Sequence, residues 1–408
     1  MRVFCTSEWH ASGGPGEFFS GRAEDLFESL LNSYQESVQV IYLDPPFGTG
    51  DVFHVRVNAQ KRQFTIPAYS DQLNEADYLR WMRAVLSGAR ELLCESGSIY
   101  LHIDYRMSAK LRLLMDEIFG AENFLNEIVW CYKSGGRSTR YYPRKHDTIL
   151  FYRKSAKVYF NISAVGRPRG PEKRNHMRRY IDEEGRICFT IRSAGKLYTY
   201  YEDTPMYPSD VWDDIEHLQQ KDKERVGYAT QKPEALLNRV ILASSRPGDL
   251  VCDLFSGSGT TAAAASKLNR RFLALDASPC ALYILRARQL QNASIHSFFE
   301  GEQALTIRYP RSETPARLSA RIETRRGVRV VLLESASFFK DAPLVYVAVG
   351  TIRDACFYPF ATDCRPKLPL ELPLGEQTQP ILQICDIYGN QAFYTLEDEC
   401  QTERSPTK

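Results

Sequence analysis

Leu250-Val251-Cys252-Asp253-Leu254-Phe255-Ser256-Gly257-Ser258-Gly259-Thr260-Thr261 is the stretch that decides the fold. Leu250–Leu254 has the apolar run of a buried strand, and residues 255–261 supply a loop with two glycines. Ala262–Leu268 predicts a helix, since alanine is the strongest helix former. Arg271–Leu275 predicts the next strand, ending in Asp276. With Ala262 the loop fits G-x-G-x-x-A, and the acid lies about 20 residues on, as an adenosine-binding unit requires. Glycines let the backbone approach the cofactor, and the acid accepts ribose hydroxyls. NAD and S-adenosylmethionine share that physics, so the unit alone does not separate them.

Outward from it the alternation of strand and helix continues. Upstream, Lys232–Leu237 starts a helix with a proline near its first turn, running to about Ser245; downstream, Pro279–Gln291 predicts another. A short helix falls near Glu24–Leu31. Ala76–Cys94 reads as an amphipathic helix, with Leu79, Met82, Leu86, Ala89 and Leu93 three or four apart. Ser98–Ile103 predicts a strand, and Ser108 a cap for a helix that stops at Gly120. Glu127–Tyr132 and Asp147–Tyr152 predict two more strands, and residues 51–75 read as irregular and polar. The pattern predicts an α/β fold, a doubly wound, mostly parallel sheet with helices on both faces. Beyond about residue 300, Val328–Leu333, Leu344–Val349 and Pro380–Ile387 favour strands, giving a smaller β-rich C-terminal domain and a frayed tail at Glu397–Lys408.

The apolar run Val38-Gln39-Val40-Ile41-Tyr42-Leu43 reads as one more buried strand, and it ends in Asp44-Pro45-Pro46-Phe47. Proline fixes its own φ and biases the preceding residue toward an extended shape. The Asp44 carboxylate and the Pro45 carbonyl are thereby offered as two fixed acceptors beside a flat ring, which suits a planar amino group such as that of a nucleobase.

The chain has 408 residues, 25% charged and 43% hydrophobic, with a net charge of +2. That composition is ordinary for a soluble globular protein, and no apolar run reaches the ~18 residues of a membrane span. The ten cysteines form no C-x-x-C pair, which predicts no metal site and thiols in a reducing cytosol. Charge is uneven: residues 131–200 hold seventeen lysines and arginines against five acidic residues, interleaved with tyrosines. Such a local excess is the footprint of a polyanion partner. Arg137, Arg140, Arg144 and Lys145 are the candidate nucleic-acid contacts by position. His146 reads as a packed or hydrogen-bonded histidine, and His102 and Asp104, which follow a strand near the presumed site, fit a structural role as well as a functional one.

Neither a hydride-transfer site nor a small-molecule dehydrogenase explains an Asp-Pro-Pro-Phe strand end and a basic insertion together. A methyl donor, an amine-gripping motif and a polyanion-binding insert do fit one another. In that setting the sequence resembles the β-class of site-specific DNA amino-methyltransferases. The matching segments run in family order: Ile41–Gly50, Ser98–Asp104, Glu127–Trp130, Lys145–Asp147, Trp212–Ile215, Thr230–Leu237 and Gly248–Thr261. The resemblance implies S-adenosylmethionine as cofactor, lined by Thr230, Gln231, Lys232, Asp253, Phe255, Ser256, Gly257, Gly259 and Thr260, with Asp276 on the ribose. It implies Asp44, Pro45, Pro46 and Phe47 as the catalytic motif, and adenine N6 as the target. Cytosine N4 members share the fold and usually carry serine where Asp44 stands. The implied organisation is a catalytic half at 1–130, a target-recognition insertion at 131–226, a cofactor-binding half at 227–298 and the β-rich region at 299–408. Double-stranded DNA is the implied partner, in the cytoplasm and on the nucleoid; a homodimer and a cognate restriction endonuclease stay open. One departure is Arg22 after Gly21, where the family often has an acid; Glu24 and Asp25 are the substitutes in reach.

Overall fold

A computed structural model of the chain describes residues 3–9, 16–48, 50–59, 62–133, 138–169, 177–228, 230–292, 304–310, 316–325, 327–338, 342–353, 356–363, 366–374 and 379–396. Strands β1 (Val3–Trp9) and β2 (Gly16–Ser20) precede helix α1 (Ala23–Tyr34) and strand β3 (Val38–Leu43). All six residues of β3 are buried. Its side chains alternate as a strand's must: Ile41 and Leu43 join the core under α1 and its neighbours, while Val40 and Tyr42 join the core on the opposite face. A strand covered on both sides cannot show a polar face, which is why its sequence is apolar apart from Gln39, whose amide nitrogen donates to the Ser96 and Ser244 carbonyls at 2.9 and 3.2 Å.

The stretch read as irregular, 51–75, is a two-stranded hairpin instead, β4 (Val52–Ala59) with β5 (Arg62–Ser70). Its Val55 and Ile66 pack with Tyr228, Cys280 and Ile284. The polar residues that suggested a loop alternate with apolar ones, as His54 does with Phe53 and Val55.

Helix α2 (Glu75–Leu92) starts at Asn74, whose side chain accepts the Asp77 amide at 3.0 Å. It ends two residues sooner than predicted, because Leu93 already belongs to β6 (Leu93–Ile103). Helix α3 (Ser108–Phe119) contains Ser108 as its first residue rather than as its cap; Met107 stands at the cap and makes no side-chain capping bond. Gly120, at φ 90°, ends it as predicted. Strands β7 (Phe124–Cys131) and β8 (His146–Arg153) follow.

Past β8 the described residues of the basic region and its continuation form strands β9 (Arg167–Pro168), β10 (Arg178–Ile181), β11 (Ile187–Ser193), β12 (Lys196–Tyr201), β13 (Pro205–Met206) and β14 (Val211–Trp212). The α/β alternation then resumes with α4 (Glu234–Ser244), β15 (Leu250–Asp253), α5 (Thr260–Lys267), β16 (Arg271–Asp276) and α6 (Pro279–Asn292). The remaining strands are β17 (Ala304–Pro310), β18 (Arg317–Arg325), β19 (Val328–Ser337), β20 (Leu344–Arg353), β21 (Cys356–Asp363), β22 (Leu370–Pro373), β23 (Ile381–Asp386) and β24 (Gln391–Thr395).

Among the described residues the main sheet runs β14-β7-β8-β6-β3-β15-β16-β2-β17-β1-β21-β20-β23-β24. From β6 through β17 it is parallel throughout, with β8 antiparallel to both β6 and β7. α1, α2 and α3 cover one face and α4, α5 and α6 the other, so the sheet is doubly wound as predicted. The C-terminal strands extend this sheet through β17, β1 and β21 while building a core of their own around Val331, Leu333, Val347 and Leu382. No helix of the described residues is long and apolar enough to cross a membrane.

Candidate active site

Strands β3 and β15 lie side by side and parallel, with Val40 opposite Val251 and Ile41 opposite Cys252. Asp44 and Asp253 therefore leave the sheet at the same edge, and Asp276 closes β16 one strand further. Ligands of open α/β sheets bind outside the carboxyl ends of such strands. A cavity of about 360 Å³ lies there, within the usual range for a small-molecule site.

Of the residues singled out in the sequence, Asp44, Pro46, Thr230, Lys232, Asp253, Phe255, Ser256, Gly257, Thr260 and Asp276 line this cavity. Pro45, Phe47, Gln231 and Gly259 do not. Gln231 is buried and braces the loop beside the cavity: its amide nitrogen donates to the Glu224 carbonyl at 2.8 Å and its oxygen accepts the Val226 amide at 2.9 Å. Gly259 stands at the amino end of α5 in a left-handed conformation, φ 68°, and its N–H donates to the Ser256 carbonyl at 2.7 Å. Of the two acids that stand near Arg22, Glu24 reaches the wall and Asp25 does not.

The Asp44 carboxylate is divided. Oδ2 accepts from Lys232 Nζ at 2.6 Å, and Oδ1 is buried with no hydrogen-bond partner among the described residues. A buried acceptor left unpaired costs free energy on the order of 1–3 kcal/mol, so its persistence marks a place for a donor. The turn that carries it is clamped: the Tyr78 hydroxyl donates to the Pro46 carbonyl at 2.6 Å, and Gly48 N–H donates to Asp71 Oδ1 at 2.9 Å.

Phe47 stacks on His102 at 6.1 Å between ring centres with 20° between planes. His102 is fully buried; its Nδ1 lies 2.7 Å from the Tyr42 hydroxyl and its Nε2 3.2 Å from Asp147 Oδ2. Burial works against the ionised form of Asp147, but the His102 hydrogen bond, the Lys232 charge and the Tyr132 hydroxyl outweigh it and hold the carboxyl below its usual range. His102 thus supports the aromatic ring from beneath and does not face the cavity. Asp104 is tied instead to Arg106, through its backbone amide and its guanidinium, both at 2.9 Å.

On the other side of the cavity the carboxylates are tuned by burial. Burial pushes the Asp253 carboxyl up to about 7, against hydrogen bonds from the Thr261 hydroxyl at 2.5 Å and the Phe255 amide at 3.0 Å. Asp276 is pushed up to about 6 by the same cause, while the Ser278 and Gly257 amides, each at 2.7 Å, favour its ionised form. The hydroxyl of Ser256 and the indole N–H of Trp81 are buried, unpaired among the described residues, and on this wall. Trp81 packs edge-on against Phe255 at 5.4 Å. Tyr42, Asp71, Leu73, Trp81 and Tyr228 line the cavity without having been marked in the sequence.

In the basic region Arg140 and Arg144 are exposed. The Arg144 guanidinium lies 4.0 Å from the Tyr105 ring centre and 4.6 Å from that of Tyr141. Lys145 is half-buried and donates to the Lys133 carbonyl at 3.1 Å; Arg137 lies outside the described residues. The loop holding Arg144 emerges at the same sheet edge as Asp44, since β8 begins opposite the end of β6. Some of the positive excess is spent locally, as in the pairs of Arg186 with Asp182, Lys133 with Glu216 and Lys157 with Glu95.

A doubly wound sheet with an Asp-Pro-Pro-Phe strand end and a glycine turn on one cleft, the first ahead of the second in the chain, defines the class as a methyltransferase fold with permuted motif order. The chain belongs to the N6_N4_Mtase family of DNA methylases, whose model matches residues 38–286. It is similar to "Type II methyltransferase M.EcaI" of Enterobacter cloacae, 31% identical over 60% of this chain and 62% of that protein. It is also similar to "DNA adenine methyltransferase YhdJ" of Escherichia coli (strain K12), 30% identical over 62% of this chain and 76% of that one. Among solved structures, "PvuII DNA methyltransferase (cytosine-N4-specific)" aligns with TM-score 0.45 and 16% identity, over 68% of this chain and 87% of that chain.

Proposed function

We propose that this protein transfers a methyl group from S-adenosylmethionine to the N6 amine of an adenine flipped out of double-stranded DNA. The observation that carries the reading is the unpaired, buried Asp44 Oδ1, set beside a cavity whose other end is the Gly257 turn and Asp276. The residues present fit the cofactor. Asp276 suits the ribose hydroxyls, the Gly257 turn brings backbone close, and the orphaned Ser256 hydroxyl and Trp81 indole N–H offer polar contacts. When bound, S-adenosylmethionine supplies a methyl group already activated by its sulfonium.

The protein's own share is positioning and charge. An aromatic amine is a poor nucleophile because its lone pair is spread into the ring. Asp44 Oδ1 and the Pro45 carbonyl accept its two N–H bonds and place negative potential beside the nitrogen as positive charge develops there, which favours the transition state. Phe47, held from behind by His102, offers a stacking face worth about 1–3 kcal/mol per base. The target must leave the duplex to reach this cleft. Residues 131–226 hold the DNA: lysines and arginines meet phosphates, and a few side chains read base edges. Arg144, with Tyr105 and Tyr141 beside it at the rim of the cleft, is the leading contact of that set.

Adenine over cytosine rests on aspartate at position 44 and on the likeness to a relative named as an adenine methyltransferase. Expression in a host free of DNA methylation, followed by digestion of its DNA to nucleosides, should yield N6-methyl-2′-deoxyadenosine; N4-methyl-2′-deoxycytidine in its place would overturn the assignment.

The pH profile of cofactor binding tests Asp276. Its carboxyl is raised to about 6 in the free protein, and ribose hydroxyl donors favour the ionised form, so binding releases a proton below that pH. Affinity for S-adenosylhomocysteine is expected to be full above this value and to fall by about tenfold per unit below it, by proton linkage. Calorimetry from about pH 5 to pH 8 reads this, and Asp276→Asn should flatten that limb of the profile. An unchanged limb in the variant would remove Asp276 from the ribose.

A further inference from the structure

Lys232 stands beside the place where the amine is expected, on Asp44 Oδ2 next to the unpaired Oδ1. Its ammonium is 2.6 Å from Asp44 Oδ2 and 5.3 Å from the centre of the Phe47 ring. These are the carboxylate proposed to hold the amine and the ring proposed to stack the base. The pair is largely withdrawn from solvent, with 11% of the lysine side chain and 18% of the aspartate exposed, so the attraction is screened far less than a surface pair. An ammonium and an exocyclic amine are both N–H donors; with the ammonium on Oδ2 and the amine assigned to Oδ1, the lysine's charge weakens the same carboxylate that must accept the amine. The lysine backbone is anchored on the cofactor side, where its carbonyl accepts the Thr260 hydroxyl at 3.2 Å. One residue thus touches both halves of the cleft.

We propose that Lys232 is a charge-operated gate: in the resting protein its ammonium neutralises the Asp44 carboxylate from Oδ2 and so weakens Oδ1 as the amine's acceptor, and the cationic cofactor drives it off. The proposal rests on the methyltransferase reading above. The methyl group must come within bonding reach of an amine held at Asp44, so the sulfonium charge has to sit a few ångströms from the ammonium. Two like charges at that range in a partly buried site repel strongly. The neutral product, S-adenosylhomocysteine, lacks that charge and leaves the gate shut. Base admission is then tied to a loaded methyl donor, and the ammonium returns to Asp44 once the charge is gone. Lys232 acts here through Asp44, as a positioning residue.

The experiment is calorimetric and needs no DNA. The ratio of the dissociation constant of S-adenosylhomocysteine to that of S-adenosylmethionine measures how much the site favours the sulfonium charge. In Lys232→Met the bared Asp44 should raise this ratio by about tenfold, and Lys232→Arg, which keeps the charge, should hold the wild-type value. In Lys232→Met with Asp44→Asn the rise should vanish. Asp44→Asn alone leaves the ammonium unopposed and should lower the ratio by about tenfold, which serves if the methionine variant loses its fold. A ratio that neither single variant moves, or a rise that survives in the double variant, overturns the gate. If the wild-type protein binds neither ligand, the cofactor reading itself falls, which is a separate result.

Discussion

Asp44→Ala is expected to lower methyl transfer by about a thousandfold or more, the scale seen when a preorganised group facing transition-state charge is removed. The substitution takes away Asp44 Oδ1, a buried acceptor left unpaired among the described residues, and with it the partner of Lys232. The strand itself should survive. Val38–Leu43 is buried on both faces independently of Asp44, and the turn beyond it is held by Tyr78 on the Pro46 carbonyl and Asp71 on the Gly48 amide. Labelled-methyl transfer from S-adenosylmethionine to plasmid DNA reads the loss. Binding of the neutral S-adenosylhomocysteine should stay near the wild-type level, which separates a chemical defect from collapse of the cleft. Transfer within an order of magnitude of the wild-type rate would end the assignment of Asp44.

Gly257→Val should weaken binding of S-adenosylhomocysteine by about a hundredfold, combining backbone strain of about 1–3 kcal/mol for a residue held at positive φ with a side chain thrust into the cleft. Gly257 sits at φ 48°, a value that a β-branched residue resists, and a Cβ there would meet the Tyr228 ring at 3.4 Å. Its amide also donates to Asp276 Oδ2 at 2.7 Å, so a shifted turn misplaces that acid. α5 and β16 have their own packing, and circular dichroism should report an unaltered fold. Calorimetric affinity within threefold of wild type would show that the turn does not border the cofactor.

How far the sequence reveals this arrangement depends on how local each feature is. Asp44–Phe47 and the 250–276 unit are legible because each is a strand with its own turn, and a strand end needs no partner to be recognised. The doubly wound sheet follows from the same local alternation. What escapes is whatever one element does to another. Trp81 and Tyr78 look like ordinary members of an amphipathic helix, yet one walls the cavity and the other clamps Pro46. Asp71 is a lone acid in a polar stretch until folding lays it against Gly48. Gln231 belongs to a motif tied to the cofactor by resemblance, but both ends of its amide are committed to backbone. Lys232 is recognisable as a cleft residue, whereas its reach to the far strand depends on a side-chain direction that no spacing rule encodes. The hairpin at 52–70 is hidden because its apolar residues are interleaved with polar and charged ones.

The placement of β1 has a consequence for how the molecule is made. Its two neighbours are β17 and β21, and β2 is flanked by β16 and β17. Translation makes β1 and β2 well before these partners, which begin at Arg271, Ala304 and Cys356. These two strands must therefore wait for them while β3 to β8 and the basic region are synthesised, the kind of long-range closure that slows folding. Assembly at that margin runs opposite to translation.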